Sequence, residues 1–105
     1  MKVILTENAE ENLWQIYKYH ADYSEDYADQ FQTAISDFIF STLAAQPKMG
    51  TLYNPEQEVY RMVYDRRYNI YYVIQDALYI VYILDGRMLL NVELADPDAM
   101  LPTIC

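Results

Sequence analysis

The chain is poor in the residues that phosphate-binding and metal-binding sites require. Only 7 of its 105 residues are Lys or Arg, against 16 Asp or Glu, and the formal net charge of -9 disfavours nonspecific binding to nucleic acids. Its 2 glycines form no phosphate-binding loop. Cys105 and His20 are the single residues of their types, which excludes a zinc site built on them. We therefore expect neither a metal nor a cofactor.

Long apolar runs are also missing. The most apolar stretch, residues 68–84, is interrupted by Asn69, Gln75 and Asp76 and is too polar to span a bilayer. The first five residues lack the apolar region of a signal peptide. A lone cysteine forms no internal disulfide and is consistent with a reducing compartment. These absences predict a cytoplasmic protein that makes no contact with a membrane.

The composition is that of one globular domain, 53% hydrophobic and long enough to close one core. The spacing of apolar residues predicts two helices, at about residues 7–22 and 24–46, that pack as a hairpin. Thr6 is placed to cap the first helix, and Asp22 or Ser24 the second. The predicted buried stripes are Ala9, Leu13, Ile16, Tyr17 and His20, then Ala28, Phe31, Ile35, Phe38, Ile39, Thr42 and Leu43.

The periodicity becomes strand-like in the second half of the chain. Runs rich in Val, Ile and Tyr at 58–64, 68–75 and 78–84 are joined by short connections, which predicts an antiparallel meander. Residues 2–5 predict a first strand and residues 88–94 a further one, whereas residues 46–55 are interpreted as a loop. The predicted fold is therefore α+β, in the order β-α-α-β-β-β(-β), with a helical hairpin covering one face of an antiparallel sheet.

Two stretches of the meander carry a family resemblance. Residues 67–74 read RYNIYYVI, and the run LYIVYIL at 78–84 is followed by Asp85-Gly86-Arg87. The first resembles the YRIxYxI strand of the RelE/ParE superfamily of bacterial toxins, and the second resembles the ParE-type ending, an aliphatic strand followed by HxR. The order of elements is similar as well. The resemblance implies a toxin domain at residues 1–95 and a C-terminal tail at 96–105.

Two departures from the family pattern favour its ParE branch. Asn69 stands where many members have an arginine, and Asp85 stands where a histidine is usual. RelE-like RNases orient and stabilise the scissile phosphate with a Lys- and Arg-rich surface, and Asn supplies no fixed positive charge. Resemblance to ParE-like members implies inhibition of DNA gyrase by binding, without RNA cleavage.

The candidate binding residues lie in the second half of the chain. Five of the seven basic residues fall between positions 48 and 87, and Arg87 matches the family's terminal arginine. Strand alternation places Asn69 and Tyr71 on the sheet face without helices, where we expect exposed aromatic surface. The predicted residues for binding the target or an antitoxin are Arg61, Arg66, Arg67, Asn69, Tyr71 and Arg87. Alternatively, the arginines form ion pairs with Glu56, Glu58, Asp65 and Asp85.

The resemblance implies a toxin of a type II toxin-antitoxin system that binds a cellular target and is neutralised by a cognate antitoxin. The acidic helices favour a basic or mixed-charge antitoxin segment that orders on the toxin. No catalytic residue is assigned, and the sequence favours binding over catalysis.

Two alternatives stay open. One is a RelE-like endoribonuclease acting on mRNA or at the ribosome, with Arg61, Arg67 and Arg87 holding phosphate. The other is a degenerate, non-toxic interaction module.

Overall fold

The structure, a computed structural model, describes residues 1–86. The predicted order of strand, two helices and strands is confirmed. The predicted strand at 88–94, the boundary after residue 95 and the tail lie outside the described residues. The elements are β1 (Val3–Leu5), α1 (Glu7–Ala21), α2 (Glu25–Asp37), a π-helical segment (Phe38–Leu43), β2 (Thr51–Asn54), β3 (Val59–Tyr64), β4 (Tyr68–Ile74) and β5 (Leu78–Asp85). Among the helices of residues 1–86, none combines the length and the apolar composition that spanning a bilayer requires.

Hydroxyl side chains cap both helices. The Thr6 hydroxyl oxygen accepts a hydrogen bond from the backbone N–H of Ala9 at 3.3 Å, as predicted. Ser24, and not Asp22, caps α2 by accepting from the N–H of Tyr27 at 3.2 Å. Thr6 also donates to the carbonyl oxygens of Ile80 and Val81 in β5, at 2.9 and 3.1 Å. One residue therefore begins α1 and attaches it to the sheet.

The second helix changes its winding before it ends. α2 is α-helical to Asp37 and continues as π-helix over Phe38–Leu43. A π turn contains more residues than an α turn, so the four-residue spacing of Ile35, Ile39 and Leu43 stays on one side, and all three are fully buried. Thr42 was predicted on the buried stripe, and that prediction is wrong, because the wider turns leave its side chain exposed.

The sheet has the strand order β1-β5-β4-β3-β2. Strands β2 to β5 are antiparallel neighbours, as the meander predicts, whereas β1 is parallel to β5. The prediction of a wholly antiparallel sheet is therefore wrong at this edge. Because the two helices carry the chain across the sheet before the meander starts, β1 lies beside the last strand of the meander and runs in the same direction.

Strand β2 lies within the segment that the sequence predicts as a loop. Its residues are largely exposed and show no alternation, so the sequence carries no strand periodicity there. Gly50 permits the close approach of this segment to the sheet, since a Cβ atom there would lie 2.6 Å from the Tyr72 hydroxyl and 2.8 Å from the Arg61 carbonyl oxygen. The Gly50 N–H instead donates to the Tyr72 hydroxyl at 3.1 Å.

The main core lies between the helices and the sheet. Leu13, Phe31 and Ile35 are buried, which confirms the predicted helical hairpin on one sheet face. Tyr68, Ile70 and Tyr72 of β4 point into this core, as strand alternation predicts, and the intervening residues of β4 point to the opposite face.

Candidate functional site

The sheet face away from the helices carries a second, smaller core. The prediction of an exposed aromatic surface is wrong at Tyr71, which is 1% exposed, and Val73 beside it on the same face of β4 is 3% exposed. The ring of Tyr53, on the unpredicted strand β2, lies edge-on to that of Tyr71 with centroids 5.2 Å apart. The remaining buried residues of this core are Val59, Val81 and Leu84. Among residues 1–86, Val63 and Tyr53 are the most exposed apolar side chains on this face, and Tyr79 and Tyr82 are partly buried.

Three predicted site residues meet on this face. Arg61 in β3 is paired in register with Tyr71 in β4, and Asn69 lies two residues before Tyr71 on the same side of the strand. Burial raises the pKa of the Tyr71 phenol, and hydrogen bonding with Arg61 and Asn69 opposes that rise. The phenol is therefore kept protonated and held between a guanidinium and an amide.

The Arg61 guanidinium has no carboxylate partner within residues 1–86. Its central carbon lies 5.5 Å from the centroid of the Tyr53 ring, a cation–π arrangement that holds the side chain against the sheet. Arg61 is partly exposed. We call Arg61, Asn69, Tyr71 and Tyr53 the sheet cluster. It offers an oriented cation and aromatic surface to an anionic or polar partner.

Arg66 lies at the tip of the turn between β3 and β4. Both central residues of this turn have positive φ, 55° at Asp65 and 56° at Arg66, and the turn is closed by a 3.1 Å bond from the Arg67 N–H to the Tyr64 carbonyl oxygen. Asn-Gly adopts such a turn most easily, so an Asp-Arg pair is under backbone strain. The side chain of Arg66 is exposed. Strain retained at an exposed arginine is consistent with a binding role.

Arg67 is separated from the sheet cluster and forms an ion pair. Its Nε donates to Asp85 Oδ2 at 3.1 Å, and its guanidinium lies 5.5 Å from the Tyr19 ring and 5.1 Å from the Tyr68 ring. The two charged side chains are 30% and 16% exposed. This arrangement matches the ion-pair alternative for Arg67, with Asp85 as its partner. Arg87, the remaining predicted site residue, lies outside the described residues.

His20 lies in the core, where the sequence predicts it. Its Nε2 is 2.8 Å from the hydroxyl of Tyr68 in a buried hydrogen bond, and its ring contacts those of Tyr27 and Phe31. Burial lowers the pKa of the imidazole, the positive charge of Arg67 lowers it further, and Asp85 opposes the shift. The folded protein therefore favours neutral His20.

The lowered pKa of His20 predicts that stability decreases in mild acid. The contribution of neutral His20 to the free energy of unfolding is complete above the ordinary histidine pKa of about 6.5. It is lost as the pH falls from there through the lower pKa of the folded state, because the unfolded chain binds a proton at His20 more tightly than the folded protein does. Urea unfolding at about pH 7.5 and pH 5 should show this decrease, and His20→Phe should remove part of it. Equal pH dependence in both proteins would contradict the prediction.

Sequence reasoning missed one contributor to these sites, Tyr53, and left the ion-pair partner of Arg67 undecided. Tyr53 was placed in a loop, although the short β-prone run at residues 51–53 was a signal for a strand. The pairing of Asp85 with Arg67 depends on the register of β5 against β4, which aligns Tyr68 with Asp85. Within residues 1–86, no group of three or more His, Cys, Asp or Glu residues is arranged to hold a metal ion.

Comparison with known proteins supplies the family. The family model of the ParE toxin of type II toxin-antitoxin systems, parDE, matches residues 3–90 of this chain. No curated protein matches the chain. The match covers most of the sequence, including both helices and all five described strands. The chain therefore belongs to the ParE toxin family of type II toxin-antitoxin systems.

Proposed function

We propose that this ParE-family chain is a cytoplasmic toxin that acts by binding a cellular target, with DNA gyrase as the first candidate, and that a cognate antitoxin neutralises it. The observation that carries the proposal is the sheet cluster. Arg61 is oriented by Tyr53 and Tyr71 and has no carboxylate partner within the described residues. A cation held in this way beside aromatic rings supplies a binding anchor at low cost in side-chain entropy.

Arg66 and Asn69 extend the proposed surface. Arg66 is exposed at the tip of the β3–β4 turn. Asn69 is the second residue of β4 and is the member of the sheet cluster in that strand that lies nearest to this turn in the sequence. Arg87 belongs to the proposed set because of its position in the family motif. Arg67 contributes through its ion pair with Asp85, which supports the base of the same turn.

A RelE-like endoribonuclease is the second candidate, because a partly exposed guanidinium beside a tyrosine also suits a phosphate. Its partners would be mRNA or the ribosome.

Growth arrest after induced expression in a bacterial host separates a toxin from a non-toxic interaction module. Gyrase supercoiling and RNA cleavage, the latter with and without ribosomes, are then measured on purified protein. Gyrase inhibition without RNA cleavage is the expected result, and ribosome-dependent cleavage would favour the endoribonuclease.

Arg61→Gln tests the sheet cluster directly. We expect the variant to bind its target about 10-fold to 100-fold more weakly, because it loses the only charge in the cluster, while its unfolding free energy changes little. The matched control is Lys2→Gln, which makes the same charge change at an exposed residue before β1. Equal weakening by both substitutions would indicate a general effect of net charge and would contradict the proposed site.

Two glycine substitutions in the β3–β4 turn separate strain from binding. Asp65→Gly and Arg66→Gly should each raise the unfolding free energy by up to about 1 kcal/mol, because glycine adopts positive φ without strain. Only Arg66→Gly should also weaken target binding. Urea unfolding and the growth-arrest assay measure the two effects. If Arg66→Gly arrests growth as strongly as Asp65→Gly, Arg66 is not part of the binding surface.

A further inference from the structure

The dipeptide Asp85-Gly86 lies at the end of β5, outside the sheet cluster. Of the 2 glycines in the chain, only Gly86 follows an aspartate, and this aspartate stands where a histidine is usual in the family. In Asp-Gly, the aspartate carboxyl reacts readily with the next backbone nitrogen, because glycine has no Cβ atom to hinder closure of the ring. The departure from the family motif at Asp85 therefore introduces a reactive dipeptide.

The reaction joins groups of adjacent residues and requires only water. The Gly86 nitrogen attacks the side-chain carboxyl carbon of Asp85, and its proton leaves with the carboxyl hydroxyl as one water molecule, so that a succinimide ring forms. Water then adds to either ring carbonyl. Opening at the side-chain carbonyl restores aspartate, whereas opening at the main-chain carbonyl gives isoaspartate. Nothing is oxidised or reduced, and the product has the same mass as the original chain.

In the folded protein, the backbone of Arg67 holds the nitrogen that would attack. The Gly86 N–H donates to the Arg67 carbonyl oxygen at 2.6 Å. Asp85 is the last residue of β5 and is aligned with Tyr68 of β4. Because ring closure requires rotation about ψ of Asp85, extended backbone at this residue keeps the Gly86 nitrogen away from the carboxyl carbon.

The side chain of Arg67 holds the other reacting group. Its Nε donates to Asp85 Oδ2 at 3.1 Å, and the Asp85 side chain is 16% exposed. A guanidinium at this distance favours the ionised carboxyl, which is attacked by a nitrogen far less readily than the carboxylic acid is. Arg67 therefore restrains both reacting groups, the nitrogen through its carbonyl oxygen and the carboxyl through its guanidinium.

We propose that Asp85-Gly86 is a site of spontaneous isoaspartate formation and that Arg67 suppresses the reaction while the end of β5 stays paired. Gly86 is exposed, and a strand end at the margin of a sheet opens more often than the whole domain unfolds. Each opening releases both reacting groups together, since Arg67 holds both. The inference goes beyond the function proposed above, because the reaction depends only on these three residues and water.

The product no longer fits the folded structure. Isoaspartate adds one methylene to the backbone and carries its carboxylate on the α-carbon, so the alignment with Tyr68 and the ion pair with Arg67 are both lost. Every residue after Asp85 follows the altered bond, including Arg87 of the proposed binding set. Modified chains should therefore accumulate with time and refold without the ion pair.

Incubation of the full chain in heavy-oxygen water measures the reaction, because each passage through the succinimide adds one oxygen atom from the solvent. The chain is kept at neutral pH, either folded or in urea, and is then digested in ordinary water. Trypsin releases residues 68–87 as one peptide, which contains both Asp85 and the exposed Asp76 as an internal control. Fragmentation of this peptide locates the label, and resistance to a protease that cleaves before aspartate identifies isoaspartate.

We expect labelling at Asp85 to be at least about 10-fold slower in the folded protein than in urea. Asp76, which is followed by alanine, should label slowly in both states. Equal rates at Asp85 in the two states would overturn the protection by Arg67. Absence of label at Asp85 in urea would overturn the site itself.

Two variants separate opening at the end of β5 from unfolding of the whole domain. Arg67→Ala should label at Asp85 about 10-fold faster than the parent, whereas Ile35→Val, a mild change at a fully buried residue of the core, should change the rate less than about 2-fold. Arg67→Lys should restore part of the protection, because it keeps a positive charge beside the carboxylate. An increase of about 5-fold or more in Ile35→Val would assign the reaction to global unfolding and overturn the role of Arg67.

Discussion

Replacing Phe31 with alanine is expected to lower the free energy of unfolding by about 3 to 5 kcal/mol, a large part of the stability of a domain of this size. Phe31 is 6% exposed and connects both helices to the sheet. Its ring centroid lies 4.9 Å from that of His20 in α1, 5.1 Å from that of Tyr68 in β4 and 6.2 Å from that of Tyr64 in β3. Removing the ring leaves a cavity among aromatic side chains that have few ways to fill it.

Phe40→Ala is the matched control, because Phe40 is the same residue type in the π-helical segment but is 50% exposed. It should cost less than about 1 kcal/mol. Urea unfolding gives both values, and near-ultraviolet circular dichroism should lose intensity only in Phe31→Ala. Similar losses in the two variants would mean that the helices are not held to the sheet through this aromatic cluster.

Replacing Arg67 with alanine is expected to lower the free energy of unfolding by about 2 kcal/mol, while Arg66→Ala, one residue earlier, should change it by less than about 0.5 kcal/mol. Arg67 is paired with Asp85 and packed between two aromatic rings, and its loss removes both the ion pair of a largely buried carboxylate and these ring contacts. The estimate is below that for fully buried pairs because the Arg67 side chain is 30% exposed.

A double-mutant cycle with Asp85→Ala measures the coupling directly. The loss in the double variant should be smaller than the sum of the two single losses, because each single substitution removes the same interaction. The two single variants should rank in the opposite order when target binding is measured. At a temperature where both are folded, Arg66→Ala should weaken binding more than Arg67→Ala does. Additive losses in stability would show that the Arg67–Asp85 contact contributes nothing of its own.

The elements with strong periodicity could be predicted from the sequence. The apolar spacing in α1 and α2 and the Val, Ile and Tyr runs of β3 to β5 gave boundaries close to those of the structure. β2 was missed, because it has only four residues, mostly exposed, and the short β-prone run at residues 51–53 was its one signal in the sequence. Its omission had a further effect, since Tyr53 covers Tyr71 and turns a predicted exposed face into a small core.

The sheet cluster could have been predicted in part. The three-residue connection Asp65-Arg66-Arg67 places Tyr64 opposite Tyr68, and the alignment of Arg61 with Tyr71 follows from it. The choice of Asp85 as the partner of Arg67, among the four acidic residues that the sequence offers, could not be predicted, because the register between β4 and β5 shifts by one residue at Tyr71/Tyr72. A bulge of this kind leaves no periodicity signal in the sequence, although it decides which charged residues meet at the end of the sheet.

The parallel pairing of β1 with β5 has a consequence for synthesis of the protein. β1 leaves the ribosome before both helices and the other strands, yet its backbone hydrogen bonds are made with residues 78–80, and Thr6 bonds with residue 80 as well. The growing chain therefore cannot complete its sheet until β5 has emerged, and contacts this distant in sequence also slow folding. In a nascent chain of this topology, β1 has no strand partner while the helices and strands β2 to β4 are being translated.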